Sequence, residues 1–232
     1  MKIIRKLPNE NGLKVALLDI EGTLVKGSVW RILNNSLGVP RSESKKLFSS
    51  FLAGSICYRE WVNRLKDLWC SSAELKPTKN NIFDLCSDFE FIPGSQKLVK
   101  NLKDLGYFLV SISGAPKFYS QMISEKLDID LNIPTHKFVF NGHDKELTDI
   151  EILNDYNFSK SHYIDKIRSN KDPGNIIAVG DDLNDLEMCK KADVGFLVKG
   201  EFDSINSSEL RRHSIYLVSI GKLSERIGDY IG

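Results

Sequence analysis

No apolar run in the 232 residues is long enough to span a bilayer, and no secretory-type leader opens the chain. The opening Met1-Lys2-Ile3-Ile4-Arg5-Lys6 is basic but too poor in apolar residues for a leader, so residues 1–12 read as an N-terminal tail or an extra edge segment. Charge of one sign is also lacking: 32 Lys and Arg against 31 Asp and Glu leave +1, so no global basic field argues for nucleic acid or a membrane surface. An anionic substrate stays open, because local lysines and a metal suffice. Cys57, Cys70, Cys86 and Cys189 show neither CxxC pairing nor zinc-like spacing, and buried thiols in a reducing cytoplasm are the simplest reading. Internal repeats and low-complexity segments are absent, and Asp203 to Ser208 reads as a polar loop. The length allows one large domain or a core with a smaller insert.

What is present is a run of acid at the ends of apolar segments. Ile176-Ile177-Ala178-Val179-Gly180 leads into Asp181-Asp182-Leu183-Asn184-Asp185, and Val15-Ala16-Leu17-Leu18 leads into Asp19-Ile20-Glu21-Gly22-Thr23. Short runs of Val, Ile, Leu and Ala bounded by turn residues fit strands buried on both faces of a parallel sheet. Ligands of such sheets bind beyond the carboxyl ends of the strands, where Asp19, Glu21, Asp181 and Asp185 can converge. Crowded carboxylates need a cation, and oxygen ligands of this kind suit Mg²⁺. Either cluster taken singly fits a helix cap or a solvated turn equally well. A third strand, Tyr107 to Ile112, ends in Ser113-Gly114-Ala115-Pro116, whose hydroxyl and free backbone N–H groups at a helix start form a phosphate cradle. Lys160, after a candidate N-cap at Ser159, would complete it, although alone it reads as a solvated helix residue.

Between these pieces the period changes. Residues 28–90 are helical in pattern, with Tyr58, Trp61, Val62, Leu65, Leu68 and Trp69 on one helix face. Leu47, Phe48, Phe51 and Leu52 form a second stripe, and the two stripes read as the core of a small bundle rather than as a substrate pocket. After Pro93-Gly94 helix and strand alternate: helix 95–105, strand 107–112, helix 117–127. This pattern predicts a parallel α/β sheet with right-handed crossovers. Strand 137–140 meets Asn141-Gly142, a two-residue hairpin signal, before a return strand around 146–148. Strands at 194–198 and 215–219 and an amphipathic helix carrying Leu223, Ile227, Tyr230 and Ile231 close the chain.

In order and spacing, these four pieces resemble the motifs of the haloacid dehalogenase superfamily of phosphohydrolases. Asp19-Ile20-Glu21-Gly22-Thr23 stands where that family carries Asp-x-Asp-Gly-Thr; Ser113, Lys160 and Gly180-Asp181-Asp182-Leu183-Asn184-Asp185 match the second, third and fourth motifs. The resemblance covers residues 13 to about 232 and is nearest the phosphoserine phosphatase-like branch. It implies a Rossmann-like parallel sheet core, 13–27 and 91–232, with a small α-helical cap, 28–90, inserted after the first motif. By the same resemblance Asp19 is the nucleophile that forms an aspartyl-phosphate, and Glu21 is the general acid and then the general base. Ser113, Gly114, Lys160 and Asn184 hold phosphate. Asp19, the Glu21 backbone carbonyl, Asp181 and Asp185 serve Mg²⁺. Asp182 and His162 need no role.

Two departures matter. Glu21 replaces the commoner Asp, as in enolase-phosphatases and a phosphoserine:homoserine phosphotransferase, which leaves hydrolysis against transfer open. Phosphoserine phosphatases also carry a glutamate shortly after the first motif to bind the substrate amine, and Ser28 stands nearest that place here. The expectation is a cytoplasmic, Mg²⁺-dependent phosphatase of a small phosphorylated metabolite, a monomer or homodimer, with no nucleic-acid or membrane partner. The alternatives are a phosphotransferase using an acceptor alcohol and a catalytically silent protein that binds a phosphorylated ligand.

Overall fold

The structure, a computed structural model, describes residues 7–8, 12–71, 75–143, 145–153, 160–170, 173–198, 210 and 212–231. The candidate cap at Ser159, the polar loop 203–208 and most of the N-terminal segment lie outside them; Leu7 is described, and is buried. Among the described residues seven strands form one sheet: β1 (Leu13–Leu18), β2 (Phe108–Pro116), β3 (Leu131–Asn141), β4 (Glu146–Ile152), β5 (Pro173–Gly180), β6 (Val194–Val198) and β7 (Ile215–Val218). Their order is β4-β3-β2-β1-β5-β6-β7, and every pairing is parallel except β3 with β4.

The apolar runs are continuous because both faces of the sheet are covered. Ala16, Leu18, Leu109, Ile177 and Val179 point into one core, while Val15, Leu17, Val110, Ile176 and Ala178 point into the other. This is the period-2 alternation of a strand, hidden because neither face is polar. The first core also receives Leu98, Val99 and Leu102 of α5 (Ser95–Asp104), Tyr119 and Ile123 of α6 (Lys117–Lys126), and Leu223 and Ile227 of α9 (Ile220–Ile231). The second receives α7 (Ser161–Asn170) and α8 (Leu183–Lys191) through Tyr163, Ile164, Ile167, Met188 and Cys189.

The helical region after β1 resolves into α1 (Val29–Ser36), α2 (Arg41–Leu52), α3 (Tyr58–Ser71) and α4 (Lys79–Ser87). Its apolar residues do not form a separate bundle core. Val29, Leu33, Leu47, Val62, Leu65, Trp69, Ile82 and Cys86 share the sheet's first core, and α3 rests on the β3–β4 edge, with Lys66 Nζ donating to the Thr148 carbonyl at 3.4 Å. The α3 stripe is inward as expected, but on α2 only Leu47 is buried, with Leu52 64% exposed.

Two expectations along the β3–β4 edge need correction. β3 begins at Leu131, well before residue 137, because Pro134 sits opposite Ser113 of β2 while the pairing with β4 starts only at His136, so the proline interrupts no ladder on the β4 side. Asn141 pairs with Glu146, so the connection is longer than a two-residue turn; Gly142 and Lys145 take positive φ of 82° and 49° within it.

Candidate active site

β1 lies between β2 and β5, and the chain builds outward to one side before crossing to the other. The crevice beyond the carboxyl ends of β1 and β5 is therefore the point where strand order reverses, the usual ligand site of an open α/β sheet. Asp19 follows β1 directly and is pinned there by its N–H, which donates to the Val179 carbonyl of β5 at 2.9 Å. Asp181 follows β5. Asp185 sits one turn into α8 and is fully buried. Oxygen atoms of Asp19, Asp181 and Asp185 all lie within 4.8 Å of one another.

Lys160, immediately before α7, joins this cluster. Its Nζ pairs with Asp19 Oδ1, and with Asp185 Oδ1 at 2.7 Å. Burial alone would push the ammonium down; Asp185 and Asp19 outweigh it and leave its pKa above the ordinary lysine value. Burial likewise holds Asp19 well above the usual carboxylate range, with Lys160 opposing and Asp185 and Asp181 adding to the rise. Asp181 is pushed up to about 6, by burial first and Asp185 second. Two buried carboxylates and a half-buried one against one ammonium leave negative charge uncompensated, the condition that a divalent cation relieves. Among the three, Asp185 is held on one oxygen by hydrogen bonds, the Asp181 and Asp182 N–H groups donating to Oδ2 at 3.1 and 3.2 Å, while Oδ1 is ion-paired with Lys160 and accepts no hydrogen bond among the described residues.

The Asp cluster both caps a helix and clusters with Asp19. Asp182 is exposed and caps α8 through the Leu183 N–H in a reciprocal arrangement with Asp185, while Asp181 and Asp185 face the site. Thr23, the last residue of the first motif, donates its hydroxyl to Asp181 Oδ1 at 2.9 Å. Gly22, at φ +80°, lies so close that a Cβ there would stand 1.9 Å from Asp181 Oδ2. Gly22→Ala should therefore cost about 1–3 kcal/mol in backbone strain and displace the Asp181 carboxylate. Thermal unfolding with and without Mg²⁺ checks this: the expected result is a lower Tm and a loss of Mg²⁺-dependent stabilisation, and wild-type values of both would contradict the geometry.

Glu21 is half-buried and turned toward the start of α1, where its Oε1 accepts the Val29 N–H and the Ser28 hydroxyl also bonds to it. Burial pushes it up to about 7 despite these two donors. Ser28 is thus engaged by Glu21. Ser113 is fully buried, its Oγ accepting the Ala115 N–H at 3.1 Å, and Gly114 is exposed beside it. Asn184 Oδ1 and the Tyr119 hydroxyl are buried without hydrogen-bond partners among the described residues. His162 is half-buried on α7.

A family model for haloacid dehalogenase-like hydrolases matches residues 13–193. A phosphoserine phosphatase of Methanocaldococcus jannaschii is 27% identical over 194 residues, 79% of this chain and 84% of that protein. One of Archaeoglobus fulgidus is 24% identical over 216 residues, 90% of this chain, and the chain spans only 60% of its length. A solved structure of a substrate-bound phosphoserine phosphatase superposes with a TM-score of 0.71 at 21% identity, covering 95% of this chain and 99% of that one, a likeness of fold.

Proposed function

Because the chain belongs to the haloacid dehalogenase-like hydrolase family, we propose that it is a Mg²⁺-dependent phosphatase that hydrolyses a small phosphomonoester through an aspartyl-phosphate on Asp19. The observation that carries this reading is the convergence of Asp19, Lys160, Asp181 and Asp185 at the point where strand order reverses. Asp19 attacks phosphorus as the bond to the leaving oxygen breaks, and Glu21 delivers a proton to that oxygen. In the second step Glu21 takes a proton from water, the water oxygen bonds to phosphorus, and the bond to Asp19 breaks. Lys160, Ser113 Oγ, the Gly114 N–H and Asn184 hold the non-bridging oxygens as charge redistributes. Asp19, the Glu21 backbone carbonyl and Asp181 would hold Mg²⁺, with Asp185 fixing Lys160 and the start of α8; the cation lets an anionic nucleophile approach an anionic phosphate. Residues 28–90 act as a cap that excludes bulk water and selects the leaving group.

The desolvation of Glu21 supports its part as the acid, since a carboxyl pushed up to about 7 keeps a large protonated fraction near neutral pH. The test is phosphate release from a broad set of phosphometabolites with Mg²⁺ and with EDTA. Metal-dependent release from one class is the expected outcome; binding without turnover would instead identify a silent phospholigand-binding protein. Turnover stimulated by an alcohol without equivalent phosphate release would identify a phosphotransferase.

The relatives' names suggest phosphoserine, but the residue standing nearest in sequence to the place of the amine-binding glutamate is Ser28, a neutral hydroxyl bonded to Glu21. An ammonium group buried without an anion costs several kcal/mol. Comparison of kcat/KM under identical Mg²⁺ should therefore place phosphoserine below uncharged phosphate esters. A clear preference for phosphoserine would show that an acid elsewhere in the cap, such as Glu43 or Glu60, binds the amine.

A further inference from the structure

The pairing of β2 with β3 slips where the candidate phosphate loop begins. Ser113 stands opposite Pro134 and Pro116 opposite His136, so Gly114 and Ala115 face Thr135 alone. A bulge of this kind takes backbone groups out of the ladder and re-aims them, a device common beside active sites. Side chains of β3 and of the helical insert take over the freed carbonyls. The Thr135 hydroxyl donates to the Ser113 carbonyl at 3.1 Å. The Gly114 carbonyl lies 2.9 Å from His136 Nδ1 and accepts the Trp30 indole N–H at 3.1 Å.

We propose that Thr135 and His136 are positioning residues for phosphate binding, each fixing one peptide plane of the Ser113-Gly114-Ala115 bulge, with Trp30 and Tyr58 completing the bracket from the helical insert. The inference rests on the reading above that Ser113 and Gly114 hold substrate phosphate.

A trans peptide carries its C=O and N–H on opposite sides, so a Ser113 carbonyl held toward Thr135 turns the Gly114 N–H away from β3. Gly114 has no side chain, and a Cβ there would meet nothing within 4 Å, so these hydrogen bonds are what fix the turn. The chemistry also fixes the state of the histidine. A carbonyl only accepts, so Nδ1 carries the proton and shares it between the Gly114 carbonyl and Thr135 Oγ1, which lies 2.8 Å away and passes its own proton to the Ser113 carbonyl; Nε2 is then bare and accepts the Tyr58 hydroxyl at 2.8 Å. Burial lowers His136 to about 4 and keeps it neutral. The Trp30 ring stands edge-on to the imidazole at 5.0 Å and 81°, which leaves the imidazole little freedom to rotate. Ser113 Oγ accepts the Ala115 N–H, so its own proton remains for phosphate.

A histidine that merely fills the core and one that orients the bulge respond differently to substitution. In His136→Asn the amide nitrogen replaces Nδ1 and keeps a donor for the Gly114 carbonyl; in His136→Gln the amide reaches the Nε2 position and that donor is lost. Thr135→Val removes the hydroxyl at nearly constant volume, and Thr135→Ser restores it. The measurement is the affinity of inorganic phosphate for each full-length variant in Mg²⁺, by calorimetric titration, beside Tm and with Ser113→Ala as reference. Thr135→Val and His136→Gln should weaken phosphate about 3- to 10-fold, the worth of one hydrogen bond, while Thr135→Ser and His136→Asn stay near wild type. If Ser113→Ala weakens phosphate but Thr135→Val and His136→Gln do not, or if losses follow Tm alone, the positioning roles are wrong. If wild type binds no phosphate, or Ser113→Ala binds it as well as wild type does, the reading of the loop falls and this inference falls with it.

Discussion

Asp19→Asn is expected to fold and to lose more than about 10⁴-fold in turnover on any phosphate ester, because an aligned internal nucleophile supplies an advantage that water at the same position does not. The substitution keeps the shape of the side chain and its amide oxygen toward Lys160, so Tm should move little. The other acids of the cluster cannot substitute: Asp185 is fully buried, with Oδ2 fixed by two backbone N–H groups and Oδ1 ion-paired with Lys160, and Asp181 is held by Thr23. Steady-state assays on an aryl phosphate with Mg²⁺, after exclusion of deamidation, decide the matter. Retention of substantial turnover would remove Asp19 from the nucleophile's place.

The second large effect is expected at Glu21. Glu21→Gln should slow turnover of esters with poor leaving groups by about 10²- to 10⁴-fold, the usual contribution of a positioned acid and base, and much less when the leaving group is a good one. The sign of the pH dependence follows from burial, which pushes this carboxyl up to about 7. Protonated Glu21 is the competent acid, so kcat/KM for an alkyl phosphate should fall as pH rises through the neighbourhood of 7, displaced lower by a bound cation. The limb should be absent for a good leaving group and absent in Glu21→Gln. As a folding term the direction is the same: a carboxyl raised in the folded state contributes stability that is full below its unfolded pKa and lost as pH rises through about 7. An unchanged alkaline limb in Glu21→Gln would assign the titration to another group.

How much of this was legible in the sequence depended on whether neighbours along the chain carried the signal. β1, β2 and β5 show as apolar runs because both faces of each are covered, and the acids that end β1 and β5 could be placed at one site from topology alone. The Asp run was ambiguous between cap and site because Asp185 takes part in the capping box with Asp182 and also lies in the cluster with Asp19 and Asp181. Lys160 was a different case, since its partner Asp19 lies 141 positions away and nothing in the local pattern distinguishes it from a solvated helix residue. The first half of β3 was obscured by Pro134, and with it the bulge opposite Thr135 and the meaning of His136. The Tyr58 bond to His136 joins residues 78 apart across two structural segments, a contact that no periodicity reports. The α2 stripe was read as core from spacing alone, yet Phe48 and Leu52 remain exposed, because spacing marks a face without marking what covers it.

The measurement that tests the central claim most directly is chemical trapping of the covalent intermediate. The enzyme is mixed with Mg²⁺ and a labelled aryl phosphate, quenched rapidly in acid, treated with hydroxylamine or borohydride, and mapped by peptide. Label that forms and decays at rates compatible with turnover, and that lies on Asp19, is the expected result. Phosphate release with no protein-bound label, or label on any other residue, would contradict the account.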